Sequence, residues 1–293
     1  MMFKKSFDPR QKKRVPVLGA DMAYVEQGVG NPIVFLHGNP SSSFLWRKVI
    51  PEAAGRGRCV APDLIGMGDS AKVAKGPNSY RFTDHREYLE VFLDLLEIEE
   101  NVILVGHDWG GALAFDWARR HSGSVRGIVY METLVTQLTW DDWPESAREI
   151  FKAMRSDAGE EIILNKNVFV ERILPASVVE QLPDDVMAVY RAPYLEPGES
   201  RRPTLTWPRE IPIDGEPEDV ARIVAASEEW MATSPVPKLF VNADPGSILV
   251  GRQREVCRSW PNQVEVTVRG SHFIQEDSGP TIGQAISSWV GEL

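Results

Sequence analysis

The sequence predicts an α/β fold with a mostly parallel central sheet, helices on both sides and an inserted helical cap. Short runs of β-forming residues alternate with helical patterns, as in consecutive βαβ units. The β pattern disappears between residues 134 and 213 and then returns. A chain of 293 residues is long enough for a large core with one insertion. We therefore expect core segments at 1–133 and 214–293 and a cap at 134–213.

Composition and charge exclude several classes of protein. Hydrophobic residues make up 43% and charged residues 25% of the chain, as in ordinary globular proteins. The net charge of −10 argues against a nucleic-acid partner. Cys59 and Cys257 are far apart and outside any Cys-x-x-Cys pair, so they predict buried thiols and no disulfide framework or zinc site.

No part of the sequence predicts a membrane segment. The basic residues near the start are not followed by the apolar stretch of a secretory signal, and no apolar run is long enough to span a bilayer. We expect a cytoplasmic protein without membrane partners, which is a monomer or a weak homo-oligomer. We expect no metal and no cofactor.

The predicted elements follow one another in a regular order. Two strands flank a glycine-containing turn at 28–31, which is typical of a hairpin. Ser41, Ser42 or Ser43 can cap a helix that runs to Ile50. A helix over 82–96 has Thr83 or Asp84 as its predicted cap. The predicted strands lie at residues 22–26, 32–36, 58–61, 102–105, 125–132, 237–244 and 263–268.

The most informative stretch is the Gly-His-Asp-Trp-Gly motif at residues 106–110. It lies between the strand over 102–105 and a helix, and it fits a nucleophile elbow, whose glycines let strand and helix pack closely around a strained residue. Asp108 occupies the nucleophile position. The alternative is that Asp108 only caps the following helix.

Four chemically capable side chains follow predicted strands, where open α/β sheets form their ligand sites. They are Asp108, Glu132, Asp244 and His272. Their order along the chain is nucleophile, acid and histidine, as in triads built on an elbow. Glu132 and Asp244 compete as the partner of the histidine, and the pattern does not choose between them.

His272 is the preferred base because it lies on a loop before the final helix, predicted over 280–290. Structural or solvated roles suit the other four histidines. We expect His37 to brace its loop and His85 to begin a surface helix. His107 is the variable residue of the elbow, and His121 closes the helix that follows it.

A carboxylate nucleophile restricts the reaction. It is suited to attack saturated carbon and form an alkyl ester, which a water molecule activated by the base can hydrolyse. The substrate should therefore carry a leaving group on carbon. The Trp109 indole N–H and the Asn39 side-chain amide could hold a departing halide, at about 1.5 to 3 kcal/mol for each hydrogen bond.

These motifs together resemble the haloalkane dehalogenases, members of the α/β-hydrolase superfamily. The resemblance covers nearly the whole chain and is carried by residues 37–40, 106–110, 132, 167–171, 202–208 and 271–277. It implies Asp108 as nucleophile, His272 as base, Glu132 as acid, and Asn39 with Trp109 as halide and oxyanion donors. A small halogenated hydrocarbon, water and halide are the implied partners. The implied pocket lining is Trp143, Phe151, Phe169, Ile173, Trp207, Pro208, Ile211, Ile248 and Phe273.

Other activities are found on the same scaffold. An epoxide hydrolase would need cap tyrosines as acids, and Tyr190 and Tyr194 are available. Fluoroacetate dehalogenases place arginines just after the nucleophile, where this chain has Trp109 and Ala112. Marine luciferases resemble dehalogenases and retain the same residues, so the motifs also allow a cofactor-free oxygenase. A small-molecule receptor would bind its ligand without turnover.

Overall fold

The structure is a computed structural model that describes residues 8–73 and 76–293, so the first seven residues of the basic N-terminal stretch lie outside it. Its eight strands are β1 (Lys13–Val17), β2 (Ala20–Gln27), β3 (Pro32–Leu36), β4 (Arg58–Pro62), β5 (Val102–Asp108), β6 (Val125–Thr133), β7 (Lys238–Pro245) and β8 (Gln263–Gly270). Its α-helices are α1 (Ile50–Ala53), α2 (Phe82–Leu95), α3 (Trp109–Arg120), α4 (Glu145–Arg155), α5 (Leu174–Ala176), α6 (Asp184–Arg191), α7 (Arg202–Glu210), α8 (Glu218–Thr233), α9 (Gly251–Ser259) and α10 (Ile274–Val290).

The strands form one sheet in the order β1-β2-β4-β3-β5-β6-β7-β8. β1 and β2 pair antiparallel, as do β2 and β4, and every later pair is parallel. The predicted α/β architecture with a mostly parallel sheet is therefore confirmed. The parallel strands end on one edge of the sheet, where ligand sites form in such folds.

The predicted hairpin between β2 and β3 is wrong. β2 pairs with β1 and β4, so the turn at 28–31 carries the chain past β4 to the far side. Residues 33–36 are all buried, as expected for a central parallel strand covered on both faces. The turn residues correctly mark the end of β2, but they do not identify the strands with which β2 pairs.

Two apolar layers cover the sheet. On β5, Val102 and Leu104 face the layer that contains α2, α3 and α8, whereas Ile103 and Val105 face the layer that contains α1 and α10. Burial on both faces explains why this strand is a continuous apolar run. Cys59 and Cys257 are buried free thiols, as predicted.

The helix termini agree with the sequence in part. The Ser42 side chain accepts a hydrogen bond from the Phe44 N–H at the start of a 3₁₀ helix (Ser43–Lys48), so one predicted cap is confirmed. At α2 the N-cap is Arg81, and Asp84 instead accepts a hydrogen bond from the Arg81 N–H. Neither Thr83 nor Asp84 is therefore the cap residue itself.

The segment 134–213, the helical insertion, contains α4 to α7 with short 3₁₀ and π turns. It contributes no strand to the sheet, and an isolated bridge joins Leu138 and Ile213 near its two ends. Leu174 and Tyr190 of the insertion pack against Phe44 and Phe273 of the core. Across the two described ranges, no helix is long and apolar enough to cross a membrane.

Candidate active site

Asp108 lies at the turn from β5 to α3 in a strained backbone conformation, with φ 51° and ψ −130°. Close packing of strand and helix imposes this turn. A Cβ atom on Gly110 would lie 2.1 Å from the Leu36 carbonyl oxygen, and one on Gly106 would lie 2.4 Å from the Gly111 Cα. The Asp108 side chain makes no capping hydrogen bond to α3, so the simple N-cap interpretation does not describe it.

Two backbone amides face the Asp108 carboxylate. The Asn39 N–H donates to its Oδ2 at 2.8 Å, and the Trp109 N–H is close enough to favour the ionised carboxylate. Burial raises the pKa of Asp108, although the nearby His272 and the two amides oppose that shift. The same amides would face an oxyanion formed on this group.

The buried charge predicts a gain in stability for Asp108→Asn. Because the pKa of Asp108 is raised in the folded state, the ionised carboxylate destabilises the fold at pH values above that pKa. This loss of stability disappears at a pH low enough to protonate Asp108 in both the folded and the unfolded state. We expect the variant to melt a few °C higher at pH 8, with a difference that shrinks towards acid pH. Calorimetry from pH 8 down to the unfolded-state pKa of 3.8 measures this, and a variant less stable at every pH contradicts it.

His272 lies between two carboxylates. Its Nε2 is 3.7 Å from Asp108 Oδ1, and its Nδ1 is 3.6 Å from Glu132 Oε2. These distances are longer than a direct hydrogen bond. The three side chains nevertheless lie in the order expected of a nucleophile, a base and an acid. The side chain is 11% exposed, so bulk water hardly reaches it.

Glu132, and not Asp244, is the carboxylate beside His272. It is buried, and it accepts hydrogen bonds from the backbone N–H groups of Ser247 at 3.0 Å and Ile248 at 2.7 Å. Asp244 is exposed at the end of β7. The sequence pattern left the two carboxylates open, and the resemblance to the dehalogenases implied Glu132.

His37 braces its loop as expected. Its Nδ1 bonds to the Gly38 carbonyl at 2.9 Å, and its Nε2 accepts the Leu64 N–H at 2.9 Å. Burial lowers its pKa to about 4, so it is neutral at pH 7. His121 is partly buried at the end of α3, 2.8 Å from the Glu90 carboxylate.

The remaining two histidines are both buried. His85 was expected to begin a surface helix, and that is wrong, because it lies in the core with its ring stacked 4.2 Å from the ring of Trp207. His107 has its Nε2 2.8 Å from the His272 carbonyl oxygen. A residue predicted to be merely variable thus contacts the backbone of the candidate base.

An apolar cavity opens beside Asp108 and His272. Asn39 and Trp109 line it, and the Asn39 amide nitrogen is weakly engaged, 3.5 Å from the Thr204 carbonyl. The cavity thus combines uncharged donors with apolar walls. The predicted residues that line it are Trp143, Phe151, Phe169, Ile173, Pro208, Ile211, Ile248 and Phe273.

Trp207 does not line the cavity, and its predicted place there is wrong. It is fully buried behind Trp109, with ring centroids 4.6 Å apart, and its Nε1 donates to the Met67 sulfur at 3.4 Å. Successive residues on a helix point about 100° apart. Pro208 therefore faces the cavity while its neighbour faces the core.

Four further residues that were not predicted line the cavity. Pro144 and Ala147 precede Phe151 at helical spacing along α4, so periodicity could have found them. Ser177 and Ser247 lie on irregular segments that carry no such signal.

Neither tyrosine that an epoxide hydrolase would require lies in the cavity wall. The Tyr190 hydroxyl donates to Glu276, and Tyr194 is fully buried with no partner for its hydroxyl among the described residues. Both side chains belong to the packing of the insertion. The cavity geometry therefore does not support epoxide opening.

Comparisons with known proteins agree with this geometry. A family model described as an alpha/beta hydrolase fold matches residues 31–279. A haloalkane dehalogenase from Sphingobium indicum is 52% identical over 284 residues, which is 97% of this chain and 96% of that protein. One from Mycolicibacterium smegmatis is 51% identical over 278 residues, covering 94% and 89%. The chain belongs to the haloalkane dehalogenase family.

A solved structure of a family member is also closely similar. The crystal structure of the haloalkane dehalogenase DbeA from Bradyrhizobium elkani has a TM-score of 0.92 and 40% identity to this chain, covering 96% of it and 98% of the DbeA chain. The present chain is therefore an enzyme that hydrolyses carbon–halogen bonds. Haloalkane and water are the reactants of that activity.

Gly38 tests how tightly the dehalogenase site is packed. A Cβ atom on this residue would lie 2.1 Å from Asp108 Oδ2, so Gly38→Ala would displace the carboxylate. We expect halide release to fall at least about 100-fold with little loss of fold. Gly55→Ala is the matched control, since nothing lies within 4 Å of its added methyl group. Equal activity of the two variants would show that the carboxylate position is not critical.

Proposed function

We propose that the chain hydrolyses haloalkanes through a covalent alkyl ester on Asp108, which water activated by His272 then hydrolyses. The observation that carries the proposal is the order of Asp108, His272 and Glu132 at the wall of an apolar cavity. Asn39 and Trp109 line the same cavity and complete the proposed set.

In the first step, Oδ1 of Asp108 attacks the carbon that bears the halogen. Oδ2 is held by the Asn39 backbone amide, which fixes the direction of attack. The carbon–oxygen bond forms as the carbon–halogen bond breaks, and the halide leaves with the bonding electron pair. The side-chain N–H groups of Asn39 and Trp109 donate to the departing halide, and the apolar surroundings strengthen these hydrogen bonds.

In the second step, a water molecule attacks the carboxyl carbon of the ester. His272 Nε2 accepts a proton from this water, and the backbone amides of Asn39 and Trp109 stabilise the oxyanion. Glu132, held by backbone amides, stabilises the imidazolium that forms. Collapse of the intermediate releases the alcohol, restores the Asp108 carboxylate and gives up a proton.

The substrate class follows from the cavity wall. Its side chains are mostly apolar, so we propose small halogenated hydrocarbons as substrates, with residues 134–213 acting as a cap that excludes bulk water. The core segments would then be 1–133 and 214–293. A cytoplasmic location and a monomeric or weakly oligomeric state remain predictions from the sequence.

The deciding experiment combines product release with isotope labelling. Bromide and protons are measured from 1,2-dibromoethane and 1-bromohexane, and one turnover is run in ¹⁸O-labelled water. We expect equal release of bromide and acid, an unlabelled alcohol from the first turnover and label in Asp108. Labelled alcohol in the first turnover would indicate direct attack by water.

The same assay separates hydrolysis from an oxygenase reaction. A luciferase-like oxygenase consumes oxygen, whereas the proposed chemistry uses only water. We expect undiminished bromide release under anaerobic conditions. Release that depended on oxygen would overturn the hydrolytic mechanism.

A further inference from the structure

We propose that Asp277 is a positioning residue that holds His272 in place for the second step by tying the base loop (residues 271–273) to the helical insertion. The inference rests on the proposed function, because it concerns the hydrolysis of the alkyl ester. Asp277 lies in the first turn of α10 and is not among the residues that line the cavity.

The backbone of the base loop is bound to the helical insertion. The N–H groups of His272 and Phe273 both donate to the Ser177 carbonyl oxygen, at 3.1 and 3.0 Å. On the core side, His107 bonds to the His272 carbonyl. The peptide groups on both sides of the base are therefore oriented by two separate parts of the chain.

The Asp277 carboxylate bridges the same two segments. Its oxygens accept hydrogen bonds from the backbone N–H groups of Val179 at 3.0 Å and Glu180 at 3.1 Å, just after Ser177. It also accepts the N–H of Ser271 at 3.4 Å, immediately before the base. One side chain thus contacts both the base loop and the segment that holds it.

This arrangement connects the cavity wall to the base. Ser177 lines the cavity, and its hydroxyl donates to the carbonyl of Ile173, another lining residue, at 2.7 Å. The proposed first step uses Asp108, Asn39 and Trp109, which lie at the ends of β3 and β5 and the start of α3. Only the second step needs His272, so loss of Asp277 should slow that step alone.

The test measures the two steps separately in Asp277→Ala and in a matched control. Rapid-quench and mass measurements with 1-bromohexane follow formation and hydrolysis of the alkyl-enzyme. For Asp277→Ala we expect alkylation within about twofold of the wild type, hydrolysis about 10- to 100-fold slower, and accumulation of the Asp108 ester. A general loss of stability would not divide the steps in this way.

Glu180→Gln is the control. Glu180 and Arg269 form an exposed ion pair of 2.7 Å between the helical insertion and β8, outside the base loop, and its loss should change neither step. Asp277→Asn keeps one oxygen as acceptor for Val179 and Glu180, so it should hydrolyse the ester faster than Asp277→Ala. It also provides the test if the alanine variant does not fold.

Equal slowing of both steps, or no change in ester hydrolysis, would overturn the positioning role. So would equal rates of hydrolysis in Asp277→Asn and Asp277→Ala. A wild-type enzyme that releases bromide but never forms an alkyl-enzyme would instead refute the proposed covalent mechanism. The two failures are therefore distinguishable in the same data.

Discussion

Replacing Asp108 by alanine is expected to lower the rate of bromide release by a factor on the order of 10⁴ or more. In the proposed mechanism, the Asp108 carboxylate forms the covalent bond to the substrate. Without it, the enzyme can still bind the substrate and stabilise the departing halide, but it has no nucleophile. Water would then have to attack the haloalkane directly within an apolar cavity. Bromide release from 1,2-dibromoethane measures the loss.

Asp244→Asn is the matched control for this experiment. Asp244 also lies near the carboxyl end of a parallel strand, but it is exposed. We expect this variant to release bromide at the wild-type rate, since Glu132 occupies the place of the acid. Substantial bromide release by Asp108→Ala would refute the assigned nucleophile, and a large loss in Asp244→Asn would reopen the question of the acid.

His272→Phe is expected to stop the reaction at the ester. A phenyl ring has nearly the shape of imidazole and can pack against His107 and Phe273, whose rings lie 4.6 and 4.7 Å from that of His272. The first step does not require a base, so one bromide per active site should appear as a burst. Steady turnover should fall by about 10² to 10⁴, the usual contribution of a general base.

The trapped ester provides a direct measurement. Mass spectrometry of His272→Phe after reaction with 1-bromohexane should find one added hexyl group, located on Asp108. The wild type, treated in the same way, should carry none once substrate is exhausted. Normal turnover by the variant would mean that the base is another residue, and absence of a burst would mean that His272 also takes part in alkylation.

Local sequence patterns predicted Asp108 and His272, whose places in the fold depend on residues near them in the chain. The elbow at Asp108 is indicated by a run of β-forming residues, closely spaced glycines and a helical pattern, which follow one another directly in the sequence. His272 follows from its place before the last helix. Such features depend on nearby residues, so one sequence was enough to identify them.

Features that depend on distant contacts could not be predicted in this way. Glu132 and Asp244 have similar surroundings in the sequence, and only the packing of the loop after β7 separates them. Trp207 and His85 are far apart along the chain and stack on each other in the core. The contacts of Asp277 with the insertion span almost one hundred residues, and nothing in the local sequence indicates them.

Ile248 offers a route by which substrate preference can diverge without damage to the catalytic apparatus. Its side chain lines the cavity, whereas its backbone N–H donates to Glu132. Any residue except proline supplies that N–H, so most substitutions here would reshape the cavity while the acid kept its bond. Evolution can therefore explore new substrates at this position at little catalytic cost.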